Sequence, residues 1–307
     1  MDGVSRGTKR PPRIAVYGPP GVGKTTLASD APGGILLPTE DGADGLEVDQ
    51  FPLILDWDSF KETVARVAKE DHEYQTVIVD TLNGAADLAG RHICRKVYGS
   101  EWTGKKGNSG FWAWGGQGWR VVAEEFRVVL FELDKCRQRG MTIVLIAHQG
   151  MQNVRHPTEG DYSKWSPALH KSVWGLVHRW TDIILRADYE TAVHTDEKGR
   201  GRAYSTTTRR LYCRGTAAED GKCRAGYELP EEMDLRWDEI ATNLGSVKAT
   251  LEEVRQLWGD LTEEEREKGL RWLGVEELAK APKTRMRQLL NRLRQKAQEK
   301  GDDDAAR

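Results

Sequence analysis

The sequence contains no long hydrophobic run. Its apolar stretches, such as residues 142–147, are far shorter than the roughly 20 residues that span a bilayer as a helix. This excludes a transmembrane helix, so we expect no membrane partner. The start of the chain also lacks the apolar stretch of a secretion signal. The sequence therefore predicts a cytoplasmic protein.

Cysteines are few, and neither sign of charge is in large excess. The four cysteines form no Cys-x-x-Cys pair, which argues against a zinc site of the usual spacing and against a disulfide framework. We expect reduced thiols at Cys94, Cys136, Cys213 and Cys223. The 46 Lys and Arg residues nearly balance 48 Asp and Glu residues, giving a formal net charge of −2. The overall charge therefore does not indicate a polyanionic partner, although a local basic patch can still bind one.

What the chain does have is the composition of a globular protein. Its 307 residues suffice for one large domain or for a core with a small appendage, and 38% hydrophobic residues with 11 tryptophans exclude a disordered chain. Short β-rich apolar segments alternate with segments of helical period. The apolar segments are residues 13–17, 34–37, 76–79, 142–147 and 182–185. This alternation predicts an α/β fold with a mainly parallel sheet that is covered on both faces.

The remaining patterns divide the chain into parts. Residues 118–139 predict a helix, because their apolar residues recur at the spacing of one helix face. That face consists of Val122, Phe126, Val129, Leu130 and Leu133. Residues 186–227 are short, Thr-rich and interrupted by glycines, which predicts hairpins at the sheet edge. We predict a flexible basic tail (1–12), an α/β core (13–243), a small helical domain (244–300) and a disordered acidic tail (301–307). Within the helical domain, Thr262 and Glu265 have the spacing of a capping box.

Residues 18–25 (GPPGVGKT) follow a predicted strand and precede a predicted helix. They match the P-loop pattern in the context that the pattern requires. Glycines let backbone N–H groups approach phosphates closely, and the helix N-terminus adds its positive dipole end. Lys24 is expected to contact the β- and γ-phosphates, and Thr25 to coordinate Mg²⁺. The predicted nucleotide-binding residues are Gly18, Pro19, Pro20, Gly21, Val22, Gly23, Lys24, Thr25 and Thr26.

A second anchor for Mg²⁺ is expected at the end of a buried strand. Asp80 directly follows the apolar residues 77–79 and is the Walker B candidate. Its alternative interpretation is a helix cap. The cofactors predicted from these residues are a nucleoside triphosphate and Mg²⁺.

Hydrolysis further requires a group that orients or deprotonates water beside the γ-phosphate. Glu40 follows the second predicted strand and is the first candidate for this base, with Asp41 behind it. His148 and Gln149 end a later strand, where they are candidate sensors of the γ-phosphate. A solvated loop acid and a buried structural histidine are the alternative interpretations.

Taken in order, these motifs resemble the RecA-like ATPase core. Its order is a Walker A loop, a strand ending in a catalytic Glu, a Walker B strand, a mobile loop, a helix, a strand ending in polar sensors, a second mobile loop and an edge hairpin. Residues 13 to about 229 follow this order. The chain more closely resembles phage-encoded, AAA-type RecA-like nucleotide-binding proteins, a group that includes the fourth class of Sak single-strand annealing proteins. The resemblance depends on residues 18–25, 79–81, 114–115, 146–148 and 223–230. It implies that the nucleotide is ATP.

The resemblance also implies two DNA-binding loops. Residues 99–118 lie where RecA-like proteins have their first such loop, and residues 150–166 occupy the place of the second. Cations neutralise phosphates and aromatic faces stack bases, a combination that suits single-stranded DNA. The implied DNA-binding residues are Lys105, Lys106, Trp112, Trp114, Arg155, Lys164 and Trp165. The alternative is that these tryptophans pack in the core or between subunits.

A basic pair late in the core resembles a group that acts between subunits. In RecA-like rings and filaments a Lys-x-Arg pair reaches the ATP of a neighbouring subunit and neutralises charge in the transition state. Lys222 and Arg224 match that pair, which implies catalytic residues shared within a homo-oligomer, either a ring or a filament. An exposed basic hairpin is the alternative.

The leading functional prediction is a Mg²⁺-dependent, DNA-stimulated ATPase that binds single-stranded DNA and supports annealing or recombination, in a bacterial host's cytoplasm. Its basic C-terminal helix is a candidate contact for a single-strand-binding protein. Two alternatives stay open: a hexameric helicase or replication-associated DNA motor, and a nucleotide-dependent protein-binding switch that uses no nucleic acid.

Overall fold

The computed structural model describes residues 10–43, 45–99, 117–156, 158, 160–195, 201–244, 254, 258–259, 261–275, 277–278, 289 and 293. For residues 191–195, 201–205 and 264 it describes the backbone. The described chain forms two compact units. The first contains the residues up to Gly226 and Glu231–Leu235, and the second contains Tyr227–Pro230 and the residues from Arg236 onward. The predicted division after residue 243 falls inside this second unit.

The first unit is built on one sheet, which has ten strands in the described part of the chain. The strands are β1 (Arg13–Gly18), β2 (Gly34–Pro38), β3 (Asp49–Gln50), β4 (Thr76–Asp80), β5 (Thr142–Val154), β6 (Tyr162–Pro167), β7 (Ile183–Thr195), β8 (Gly201–Tyr212), β9 (Lys222–Cys223) and β10 (Glu232–Asp234). Their order is β10-β8-β7-β1-β5-β4-β2-β3, with β6 paired to β5 and β9 to β7. Strands β1 to β5 and β7 run parallel, whereas β6, β8 and β9 pair antiparallel with their neighbours. The predicted α/β fold with a mainly parallel sheet is confirmed.

The helices of this unit cover the sheet. They are α1 (Lys24–Ser29), α2 (Trp57–Lys69), α3 (Leu82–Lys96), α4 (Gln117–Gln138) and α5 (Lys171–Trp180). Helices α2 to α5 form one hydrophobic core with alternate strand residues such as Ala15 and Tyr17. The intervening residues Ile14 and Val16 are buried on the opposite face, as expected of a sheet covered on both sides. The apolar face predicted for residues 118–139 is fully buried in α4, so that prediction is confirmed.

The register of the parallel strands brings their carboxyl ends to one edge of the sheet. Gly18 at the end of β1 lies opposite His148 in β5. Asp80 at the end of β4 lies opposite Pro38 on one side and Ile146 on the other. In parallel α/β sheets this edge is where ligands bind.

Strand β5 continues beyond the point where the sequence predicts a loop. Its first part pairs with β1 and β4, and residues 149–154 then pair antiparallel with β6. The interpretation of residues 150–166 as a loop is therefore wrong for most of this segment, which is a β-hairpin. The strand is not predicted because residues such as Gln152 and Asn153 are polar and lack the alternating apolar pattern of a buried strand. Backbone hydrogen bonds to β6 hold them in the ribbon instead.

The hairpin predicted at the sheet edge is confirmed as β7–β8, and β10 pairs with β8 beyond it. The β7–β8 pairing contains one register shift, between Tyr189 and Thr191. Up to that shift Tyr189 lies directly opposite Arg209. The two side chains therefore lie on the same face of the ribbon.

The second unit is helical where it is described, with α6 (Trp237–Leu244) and α7 (Glu263–Leu273). The predicted capping box is confirmed: Thr262 Oγ1 accepts from Glu265 N–H, and the Glu265 carboxylate accepts from Thr262 N–H at 2.9 Å. A small hydrophobic cluster contains Val254, Leu273, Leu289 and Leu293. Within the described residues, no helix combines the length and hydrophobicity needed to cross a bilayer.

A buried ion cluster ties the opposite edge of the sheet together. Asp182, which is 1% exposed, accepts from Arg13 Nε (3.1 Å) and also binds Arg137 (3.1 Å) and Arg224 (3.0 Å). Burial opposes ionisation of Asp182, but Arg13 outweighs it and holds the pKa of this carboxyl below its usual value. The cluster joins the start of β1, the end of α4 and the segment preceding β7.

We expect Asp182→Ala to destabilise the first unit by about 3–5 kcal/mol, because it leaves the buried Arg13 guanidinium without its main partner. Urea unfolding followed by circular dichroism measures this loss. Asp58→Ala is the matched control, since Asp58 is 54% exposed and its ion pairs with Lys61 and Lys96 should contribute less than about 1 kcal/mol. Equal losses in the two variants would contradict the structural role assigned to Asp182.

Candidate nucleotide site and its attached hairpins

The loop between β1 and α1 is shaped by two glycines. Gly18 ends β1 beside β7, where a Cβ would lie 2.2 Å from the carbonyl oxygen of Ala187, so a side chain does not fit. Gly23 caps α1 with a φ of 102°, a left-handed conformation that favours glycine. Val22 between them is fully buried. The predicted phosphate-binding loop thus has the close backbone turn that its chemistry needs.

Lys24 begins α1 and lies inside this loop. Its Nζ donates to the carbonyl oxygens of Gly18 (3.0 Å) and Pro19 (2.8 Å), and the residue is only 6% exposed. Burial lowers the pKa of Lys24, while the nearby carboxylates of Asp80 and Glu40 oppose that effect. An ammonium group has three N–H donors, so two carbonyls leave one donor for a phosphate oxygen.

Thr25 and Asp80 come together at the centre of the edge. Thr25 Oγ1 donates to Asp80 Oδ2 at 2.7 Å. Burial raises the pKa of Asp80, an effect that the Thr25 hydrogen bond counters and the nearby Glu40 strengthens. The cap of α3 is Thr81 rather than Asp80, because Thr81 Oγ1 accepts from Gly84 N–H at 3.0 Å. Asp80 is therefore not used as a helix cap, and its oxygens with the Thr25 hydroxyl form the donor set that Mg²⁺ prefers.

Glu40 is held in place by two hydrogen bonds, one to each carboxylate oxygen. Thr81 Oγ1 donates to Oε1 at 2.8 Å, and His148 Nε2 lies 2.8 Å from Oε2. The carboxylate accepts only, so Nε2–H of His148 is the donor. The Glu40 side chain is 38% exposed, and Glu40 and Asp41 line a cavity of about 360 Å³. Glu40 is thus oriented and open to water, whereas His148 is a partner of Glu40 rather than a core histidine.

His148 also connects this edge to the β5–β6 hairpin. The backbone N–H of His148 donates to Asn83 Oδ1 (2.8 Å). Its backbone carbonyl oxygen accepts from the N–H of Ala168, just after β6 (2.8 Å). Asn83 Nδ2 in turn donates to the Ala168 carbonyl oxygen at 2.8 Å. Two buried polar atoms beside this network, His148 Nδ1 and Gln149 Oε1, have no hydrogen-bond partner among the described residues. The base of the hairpin is therefore bonded directly to the residue that positions Glu40.

A second anchor of the hairpin is Asp220. Its carboxylate accepts from Lys164 Nζ (2.5 Å), Ser166 Oγ (2.6 Å) and Trp174 Nε1 (3.0 Å). Burial opposes ionisation of Asp220, but these donors outweigh it and keep the pKa of the carboxyl below its usual 3.8. Tyr17, next to Gly18, donates its hydroxyl to the Asp220 carbonyl oxygen at 2.7 Å. The hairpin is thus attached to β1 directly before the phosphate-binding loop.

The described residues that are predicted to bind DNA differ in how far they are exposed to solvent. Arg155 is exposed at the turn of the β5–β6 hairpin, whereas Lys164 is paired with Asp220 and Trp165 packs against the main core. The other four predictions lie outside the described residues: Lys105, Lys106, Trp112 and Trp114. Among the described candidates, Arg155 is the cation best placed to meet a ligand in solution.

Lys222 and Arg224 lie at the other end of the sheet. Strand β9 pairs with Ile183 and Ile184 at the start of β7, beside the beginning of β1. Lys222 Nζ donates to the carbonyl oxygens of His178 and Thr181, and Arg224 binds Asp182 while its side chain stays 44% exposed. The pair does not approach the phosphate-binding loop of its own chain, so a catalytic role would require a neighbouring subunit.

The structure adds residues that the motif analysis did not identify as parts of the site. Thr81 and Asn83 organise Glu40 and His148, and Asp220 organises the hairpin. Thr81 carries a sequence signal, because a threonine directly before a helix is a common cap. Asp220 carries no such signal, since the donors to its carboxylate are separated from it in the sequence by 46 to 56 residues.

Comparison with known proteins assigns this site to a family. Residues 10–225 match a family model described as an AAA domain, which is well over half of the chain. The SPbeta prophage-derived uncharacterized protein YorG of Bacillus subtilis (strain 168) is 31% identical over 177 residues. That alignment covers 56% of this chain and 49% of the relative, so the chain spans about half the length of the relative that it matches.

We expect Asp220→Asn to lower stability by about 2 kcal/mol at neutral pH, because the charged acceptor for Lys164 is lost. The native pKa of Asp220 lies below 3.8, so its contribution is present above that pH and disappears as the pH falls through the native value. Thermal unfolding between pH 7 and pH 3 should therefore show the two proteins converging in acid. Asp234→Asn, which removes an exposed partner of Arg210, is the control. A stability difference independent of pH would contradict this account.

Proposed function

The chain belongs to the AAA-domain family, and we propose that it is a phage ATPase that binds single-stranded DNA and supports annealing or recombination. The match of residues 10–225 to an AAA domain supports nucleotide binding by an ATPase core. The prophage-derived relative supports the phage context. The observation that carries the proposal is the hydrogen bond between His148 and Glu40. It joins the carboxyl edge of the sheet, where the nucleotide is proposed to bind, to the β5–β6 hairpin.

ATP is proposed to bind with its β- and γ-phosphates on the loop of residues 18–25. Lys24 supplies positive charge, and backbone N–H groups supply donors. Thr25 and Asp80 would hold Mg²⁺, which when bound neutralises charge on the phosphates. The 2.7 Å contact between these two side chains supports this assignment, because it brings both oxygens to the same point before any ligand is added.

Glu40 is proposed as the base that orients and deprotonates the attacking water. Its carboxylate is fixed by Thr81 and His148, so little reorganisation is needed when the γ-phosphate arrives. Its partial exposure and the adjoining cavity give water access to the carboxylate. Asp41 lines the same cavity but has no such pair of hydrogen bonds among the described contacts, which favours Glu40.

DNA binding is proposed for the β5–β6 hairpin together with the segment of residues 99–118. The hairpin projects from the nucleotide edge and exposes Arg155 at its turn and Met151 along its side. A cation and an apolar side chain are suited to a phosphate and a base of a single strand. Because His148 and Ala168 join the hairpin base to Glu40, strand binding is expected to change hydrolysis.

A shared active site is proposed for the assembled protein. Lys222 and Arg224 are too far along the sheet to serve their own nucleotide, so they would act on that of a neighbour. Arg224 is the better candidate for direct contact, since Lys222 is used to cap the end of α5. This arrangement supports a homo-oligomer whose activity rises with protein concentration.

The central test is steady-state ATP hydrolysis with and without single-stranded DNA. We expect Lys24→Ala to abolish hydrolysis and ATP binding, and Glu40→Gln to reduce the rate at least about 100-fold while ATP still binds. Stimulation by DNA should disappear in both variants. Asp41→Asn is the matched control and should keep most of the activity.

Hydrolysis that is indifferent to DNA over a range of salt would overturn the DNA-coupled proposal and favour a nucleotide-dependent protein-binding switch. ATP-driven unwinding of duplex DNA by a closed ring would favour the helicase or motor alternative. Annealing of complementary strands without unwinding is the outcome expected here.

The hairpin assignment has its own test. We expect Arg155→Ala to weaken single-stranded DNA binding by roughly 1 kcal/mol without changing stability, because the side chain is exposed. Lys164→Ala should weaken DNA binding together with stability, since it removes the Asp220 ion pair. Fluorescence anisotropy at several salt concentrations, paired with thermal unfolding, separates the two effects. Unchanged binding in Arg155→Ala, Lys164→Ala and Trp112→Ala would contradict DNA contact by either segment.

A further inference from the structure

We propose that Tyr189 and Arg209, a cross-strand pair on the β7–β8 hairpin, bind the nucleoside half of the ATP whose phosphates lie on the loop of residues 18–25. The inference rests on the proposed function and extends it to the ribose and base. Neither residue belongs to a motif in the sequence. Their role follows from where the hairpin places them.

The pair contacts two successive residues of the phosphate-binding loop. The hydroxyl of Tyr189 donates to the carbonyl oxygen of Gly21 at 3.2 Å, and Arg209 donates to that of Val22 at 3.3 Å. Tyr189 and Arg209 lie opposite each other in the ribbon, at the point where its register shifts. A Cβ on Gly23 would lie 2.7 Å from the Arg209 guanidinium, so that group stands directly against the last residue before Lys24.

The order of the strands determines which part of the nucleotide reaches this pair. Asp80 ends β4 and Glu40 follows β2, and both strands lie on one side of β1 in the order β7-β1-β5-β4-β2. Tyr189 and Arg209 belong to β7 and β8 on the other side. A nucleotide that directs its γ-phosphate toward Glu40 extends its ribose and base in the opposite direction. That direction leads to the Tyr189–Arg209 pair.

The chemistry of the pair suits this part of the ligand. The half-buried tyrosine ring offers a flat face on which a base can stack, as aromatic side chains do with bases in other sites. The exposed guanidinium is planar, so it can stack on the base as guanidinium groups do on aromatic faces. Both contacts are absent from a ligand that consists of phosphates alone.

That difference gives the test. Isothermal titration calorimetry with Mg²⁺ measures the affinity of the full chain for ATP and for inorganic tripolyphosphate. We expect Tyr189→Ala and Arg209→Ala each to weaken ATP binding about tenfold, with tripolyphosphate affinity changed less than about twofold. Tyr189→Phe keeps the ring but loses the bond to Gly21, so it should bind ATP nearly as well as the wild type.

Arg210→Ala is the control for the hairpin itself, since Arg210 is the next residue of β8 and pairs with Asp234. It should leave both affinities unchanged. If Tyr189→Ala weakens ATP and tripolyphosphate equally, the pair merely supports the loop and the inference is overturned. If Tyr189→Phe weakens ATP binding as strongly as Tyr189→Ala does, the ring of Tyr189 does not stack on the base, and the inference is overturned as well. A wild-type chain that binds neither ligand, or a Lys24→Ala variant that binds both normally, would instead overturn the proposed function, and the inference with it.

Discussion

The register between the parallel strands is the constraint on which the whole site depends. Because Gly18 is paired with His148, two residues separated by more than a hundred positions meet at one edge, and the pairing of Asp80 with Pro38 brings Asp80 to the same edge. A shift of one residue would turn each of these side chains to the opposite face of the sheet. In this register Ile14, Val16 and Ile78 are buried, as expected of apolar strands in a sheet covered on both faces.

Polar groups at the two ends of the sheet have different tasks. At the amino-terminal edge, the buried Asp182 binds three guanidinium groups and joins the start of β1 to the end of α4 and to the segment that follows β9. At the carboxyl edge, Glu40 and Asp80 are only partly enclosed, and each oxygen of Glu40 is hydrogen-bonded by one side chain, Thr81 or His148. These two bonds fix the orientation of a carboxylate that is still open to water.

Much of this architecture could be predicted from the sequence. Apolar segments of strand length gave the parallel sheet, and the spacing of glycines with Lys24 and Thr25 located the phosphate-binding loop, because each is a local pattern with a direct physical cause. The continuation of β5 into a hairpin could not be predicted, since Gln152 and Asn153 lie in a ribbon held by backbone bonds. The role of Asp220 could not be predicted either, because it depends on hydrogen-bond donors that only folding brings close to its carboxylate.

Both hairpins are attached to the phosphate-binding edge of the sheet, and the proposed coupling between nucleotide and DNA depends on this attachment. The β5–β6 hairpin is bonded through His148 to Glu40, and through Asp220 to Tyr17 next to Gly18. The β7–β8 hairpin contacts the loop at Gly21 and Val22. A ligand that moves the loop or Glu40 must therefore disturb hydrogen bonds at the base of both ribbons. In the proposed function, these hydrogen bonds are the physical route between the nucleotide and a DNA strand at Arg155.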